Sequence, residues 1–201
     1  MDIAQGAINP AQPDKAAMEF LLTRRSRPAK TLQLPVPDTD DLMPILTAGA
    51  RTPDHGKLVP WRFVVLRRRA LERLAALATT GAAEAGLAPN DIEKAAKQFS
   101  DSHLCIAVIA APVESAKVPQ IEQTLSAGAA CYGVLSAALA AGWGANWLSG
   151  WAAHDPTFGQ KALNLSQGEW VAGYIHIGTE GVTPPDRPRP DLSDTVTWVD
   201  D

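Results

Sequence analysis

Apolar residues recur at helical spacing near the start of the chain. Ala17, Met18, Leu21 and Leu22 fall on one face, Asp14 stands where an N-cap belongs, and Pro28 ends the helix just past Thr23-Arg24-Arg25-Ser26. Residues 1 to 13 carry no such pattern and read as an arm. An extended link through Pro35 and Pro37 leads to a second helix, capped by Asp38 and buried through Leu42, Ile45, Leu46 and Gly49. The pattern shortens to a β-rich run at Trp61 to Leu66, then returns to helical spacing over residues 70 to 86 and 90 to 101, the latter with Ile92, Ala95, Ala96 and Phe99. His103 to Ala111 is continuously apolar, as a strand buried on both faces must be.

Residues 121 to 141 form the strongest helix. Ser126, Ala129, Gly133, Ala137 and Ala140 line it with small side chains, which lets another helix or a flat ligand approach its backbone. Ala145 to Ser149 reads as a short strand, Pro156 to Leu163 as a short helix, and Glu169 to Gly178 as a strand. The stretch Thr183 to Pro190 is proline-rich, and Thr195 to Val199 fits a last strand. This order predicts an α+β or mixed α/β domain over 14–182, with a small sheet among helices and an extended tail over 183–201. No internal repeat or second domain boundary is visible.

Composition narrows the classes. Of 201 residues 46% are apolar, enough for a sizeable core. The net charge of −4 lacks the basic excess of a nucleic-acid binder, so any anion site must come from local arginines. Cys105 and Cys131 sit in apolar runs outside any CxxC pair and read as buried, reduced thiols. Gln123 to Ala153 holds no charged residue, but its serines, glycines and alanines suit a buried helix and strand better than a membrane span. The first residues lack the pattern of a signal peptide, so a cytoplasmic location is expected.

Most familiar motifs are absent from the sequence. Gly142-Trp143-Gly144 begins a dinucleotide fingerprint and lacks its third glycine. A P-loop, HExxH and GxSxG are all missing, and the four histidines lie far apart, so no metal site is signalled. A bound cofactor with its own reactivity fits such a sequence.

Four segments then converge. They are Arg24-Arg25-Ser26; Ala48-Gly49-Ala50-Arg51-Thr52-Pro53-Asp54-His55 running on to Pro60-Trp61-Arg62-Phe63; Lys117-Val118-Pro119 with Glu122-Gln123 and Ser126-Ala127-Gly128; and Gly142 to Gly150. Together they resemble the small single-domain nitroreductases of the YdjA-type subgroup, over about residues 15 to 180. The resemblance implies a nitroreductase-like fold, a small mixed or antiparallel sheet flanked by helices, in an intertwined homodimer with the tail wrapping its partner and FMN at the subunit interface. It places Arg24, Arg25, Ser26, Trp147, Leu148 and Ser149 at the flavin, with Arg51 and His55 reaching across from the other subunit. It matches Ala137, Ala138, Leu139, Ala140, Ala141 and Gly142 to a stretch assigned to NAD(P)H.

The residue chemistry agrees with that reading. Arginine forks and a serine hydroxyl suit a phosphate dianion, and Arg51 or Lys57 suits the charge that a reduced ring gains. His103, His154, His176 and Trp61 read as structural. Relatives often carry a basic residue where Leu148 stands, so the charge balance at the ring differs here. No side chain is needed as a nucleophile. The implied reaction is ping-pong, from NAD(P)H through FMN to a nitroaromatic or quinone. Three other readings stay open: a flavin carrier or sensor, a flavin enzyme reducing enones or halogenated substrates, and a flavin-free interaction module.

Overall fold

The computed structural model describes residues 10–200, so most of the expected arm lies outside the described residues. Helix α1 (Lys15–Thr23) is capped by the Asp14 carboxylate, which accepts from the Ala17 N–H, and α2 (Thr39–Gly49) by Asp38 in the same way. Between them a short strand, β1 (Leu32–Gln33), forms from the link read as merely extended. Then follow β2 (Trp61–Arg67), α3 (Arg68–Glu84), α4 (Pro89–Ser100), β3 (Leu104–Ala110), α5 (Gln120–Ala140), β4 (Gly144–Leu148), α6 (Trp151–His154), α7 (Pro156–Leu163), β5 (Trp170–Glu180) and α8 (Leu192–Thr195).

Every strand pairing is antiparallel. β5 is the organising strand: it pairs with β3, with β4 along Gly144↔Gly178 to Leu148↔Tyr174, and with β1 at Glu180. β3 also pairs with β2. The alternation of β3 is what makes two cores. Leu104, Ile106 and Val108 face α2 and α5, while Cys105, Ala107 and Ile109 face α3, α4 and α7. All seven residues of β3 are buried, as a continuous apolar run predicts.

The small-residue stripe of α5 meets a helix of its own chain. A Cβ on Gly133 would lie 3.1 Å from the Cα of Gly49, and a Cβ on Gly49 would lie 2.5 Å from the Val134 side chain. That close approach carries α2, and the loop after it, onto α5. α5 is a core helix, and no helix among the described residues is long and apolar enough to cross a membrane.

The expected strand at Thr195 to Val199 does not form. Asp191 caps the helical turn α8, its carboxylate accepting from Ser193 N–H, and the chain beyond finds no strand edge to pair with. Trp198 is left 83% exposed. The rest of the tail folds back on its own chain near Arg25, whose Nε donates to Pro185 O at 3.3 Å.

Both cysteines are buried and unbridged, and desolvation pushes the Cys131 thiol up to about 12 and that of Cys105 well above its ordinary value. His176 is buried beside Cys105. Its Nδ1 lies 2.9 Å from Ser102 Oγ and its Nε2 3.9 Å from Cys105 Sγ, and desolvation lowers its pKa to about 4. The folded chain therefore binds fewer protons here than the unfolded chain, whose histidine titrates near 6.5. Stability relative to a His176→Asn variant should fall as pH drops from 6.5 toward 4, at up to about 1.4 kcal/mol per pH unit, and level off below. Urea unfolding of both proteins across that range checks it, and parallel curves would show that His176 carries no such linkage.

Candidate functional site

The arginine segment is fastened to β4. Arg27 N–H donates to Ala145 O at 2.8 Å, and Asn146 Nδ2 donates back to Arg27 O at 2.6 Å. α1 ends at Arg24, whose backbone N–H still donates to Phe20 O, so Arg24, Arg25 and Ser26 emerge at the helix end beside the strand. The tail adds Arg187 and Arg189. Sequence reasoning missed these two, which stand two apart in the proline-rich run Asp186-Arg187-Pro188-Arg189.

The result is a cavity of about 420 Å³ lined by Arg24, Arg25, Ser26, Arg187, Arg189, Asn146, Trp147 and Leu135. Four guanidinium groups stand against one carboxylate. Asp186 accepts from Arg189 at 2.9 Å, and the Arg187 N–H and the Arg189 guanidinium hold it below the usual carboxylate range. Arg24 donates to Ser26 Oγ at 3.2 Å and lies 5.7 Å from the Tyr132 ring, yet its buried Nε has no partner among the described residues. Unspent guanidinium donors and uncompensated charge are what a phosphate needs. Beside them Trp147 is 37% exposed and lies over Gly173, where any Cβ would collide with the indole. The cavity joins an anion end to an aromatic, apolar end.

Other sequence candidates lie elsewhere. Leu148 points to the opposite face of the sheet and lines a separate cavity of about 280 Å³ with Lys30, Gln98 and His176. Ser149 is exposed at the strand end. Ala137, Ala138, Leu139, Ala140, Ala141 and Gly142 close α5: Gly142, at φ +86°, donates to Leu139 O, and Trp143 N–H donates to Ala138 O. This turn does not line the arginine cavity.

Arg51 and His55 lie in the loop region after α2, outside that cavity, and His55 belongs to a second cluster. The loop from Thr52 to Pro60 is braced from within and from α5. Asp54 accepts from Leu58 N–H at 3.1 Å and from Val59 N–H at 2.8 Å. Ser126 Oγ donates to Pro53 O at 2.7 Å and accepts from the buried Trp61 indole at 3.1 Å. Lys57 and Val59 are held at φ +56° and +49°, and for a β-branched residue such strain costs about 1–3 kcal/mol. His55 Nδ1 lies 2.6 Å from Glu122 Oε2. Within one chain this cluster is far from the arginine cavity. Glu122 and Leu135 lie thirteen positions apart on α5, about 20 Å along the helix axis.

A family model described as "Nitroreductase family" matches residues 21–179. The Escherichia coli (strain K12) protein described as "Putative NAD(P)H nitroreductase YdjA" is 37% identical over 163 residues, covering 81% of this chain and 87% of that one. Among solved structures, a "Nitroreductase-like Family Protein" from Bacillus cereus aligns with a TM-score of 0.74 at 19% identity, over 96% of this chain and all of that one. A Desulfovibrio desulfuricans structure, described as a "putative nitroreductase in complex with fmn", aligns at 0.72 and 20% identity, over 93% and 98%. At such identities these structures establish the fold.

Ser126→Ala should destabilise the chain by about 1–3 kcal/mol, because the buried Trp61 N–H loses its acceptor. It should also speed amide exchange over residues 54 to 59. Unchanged melting and exchange would mean that the loop does not depend on this bridge.

Proposed function

The chain belongs to the nitroreductase family, and on that premise we propose that it is an FMN-dependent oxidoreductase taking electrons from NAD(P)H and delivering them to a flat nitroaromatic or quinone acceptor. The observation that carries this reading is the arginine cavity. Its four guanidinium groups with one carboxylate suit a phosphate dianion, and the buried, unpartnered Arg24 Nε is a donor still to be used. Its volume lies in the range of small-molecule sites.

Arg24, Arg25, Arg187 and Arg189 would hold the phosphate, Ser26 and Asn146 offer hydrogen bonds to a polyol, and Trp147 with Leu135 offers apolar surface to a ring. When bound, FMN supplies the redox chemistry, accepting hydride from NAD(P)H and passing electrons on in a ping-pong cycle. The protein binds, orients and tunes, and no residue serves as a nucleophile. Leu148 projects to the other face, so the cavity's cations are its arginines alone.

The reading includes a homodimer. α1 buries none of its residues in the protomer, leaving Met18 58%, Leu21 51% and Leu22 74% exposed, and Ile121 and Leu125 of α5 are more than 60% exposed. A second copy is the fitting cover for so much apolar surface. It also answers the separation along α5: Arg51 and His55 of one protomer would meet the cavity of the other.

Purified protein should be yellow, with an absorbance band near about 450 nm, should sediment at twice the chain mass, and should oxidise NADH or NADPH when menadione is added. Arg189→Ala should weaken FMN binding about tenfold or more. A colourless protein that does not take up added FMN would end this proposal, and a yellow one without turnover would favour a flavin carrier.

A further inference from the structure

An exposed ion pair contributes little to stability. His55 and Glu122 are such a pair, with side chains 61% and 44% exposed, yet their contact is 2.6 Å across sixty-seven residues of sequence. The backbone of the loop does not need it. Asp54 caps Leu58 and Val59, Ser126 ties down Pro53, and Val118 packs beside Gly56. What Glu122 adds acts on the imidazole ring alone.

The chemistry of that contact is specific. An ionised carboxylate only accepts hydrogen bonds, so the proton between the two groups sits on His55 Nδ1. Nε2 is left without a partner among the described residues. It accepts when the ring is neutral and donates when the ring is charged. The other charges of the loop do not compete for Nδ1: Asp54 is occupied by two backbone N–H groups, and Arg51 and Lys57 are cations.

We propose that Glu122 is a positioning residue that fixes the orientation and tautomer of His55, so that Nε2 is presented to the ligand in the partner's cavity. This rests on the reading that His55 meets the flavin across the dimer. It gives the Lys117-Val118-Pro119…Glu122 segment a task that core packing does not explain. The logic is that of a carboxylate behind a metal-bound or catalytic histidine, where the outer group sets the behaviour of the inner one.

Nitrogen-15 NMR of the histidine side chains in the full chain, with and without FMN at about pH 8, reads the tautomer directly. His55 should carry its proton on Nδ1. Glu122→Ala should mix the tautomers and raise the FMN dissociation constant or the acceptor KM about tenfold, with kcat less affected. Glu122→Gln should retain most of the wild-type behaviour, because its amide oxygen accepts the same bond. An Nε2–H tautomer in the wild type, or Glu122→Ala matching the wild type in both readouts, overturns the proposal. His55→Ala separates the two layers. If it leaves FMN affinity and KM unchanged in a protein that is still yellow, His55 does not meet the flavin and the proposal falls, while the NMR still reports whether Glu122 holds the ring.

Discussion

Four guanidinium groups line one cavity, one of them bonded to the Asp186 carboxylate, and the mutual repulsion of those charges is the constraint around which this chain is built. Like charges at such range disfavour the folded state unless water, counterions or a bound anion offset them. The scaffold therefore spends backbone hydrogen bonds on keeping them together. Arg27 and Asn146 stitch the arginine segment to β4, Arg25 holds the carbonyl of Pro185, and Arg189 reaches both Asp186 and the Arg24 carbonyl. A protein of net charge −4 thus keeps a strongly positive spot that its overall composition conceals.

α5 links that spot to the second cluster. One helix presents Glu122 and Ser126 to the loop after α2, Gly133 to α2 itself, and Tyr132 and Leu135 to the arginine side. Its rigidity keeps the two clusters of one protomer about 20 Å apart. On the proposed reading, a two-fold axis would bring these two incomplete halves of a site together, on a chain whose exposed apolar helices call for a cover.

Much of this was legible in the sequence. Apolar period gave the helices and β3, and Asp14 and Asp38 announced their caps. Arg24, Arg25 and Ser26 were found because they form a contiguous motif. Arg187 and Arg189 were missed because a proline-rich tail suggested only wrapping, and their target lies some 160 residues away in sequence. Leu148 adjoins Trp147 in the sequence, but strand alternation sends neighbouring side chains to opposite faces, and the two line separate cavities. The run Thr195 to Val199 had strand propensity without an edge to pair with, and propensity alone does not make a strand.

The sealed cysteines set the character of the whole molecule. A buried thiol that burial keeps protonated is a poor nucleophile, so it reacts slowly in thiol–disulfide exchange. If the proposed flavin chemistry runs beside these cysteines, it meets two protonated thiols and not a reactive thiolate, and redox change at sulfur is left to exposed methionines such as Met18 and Met43.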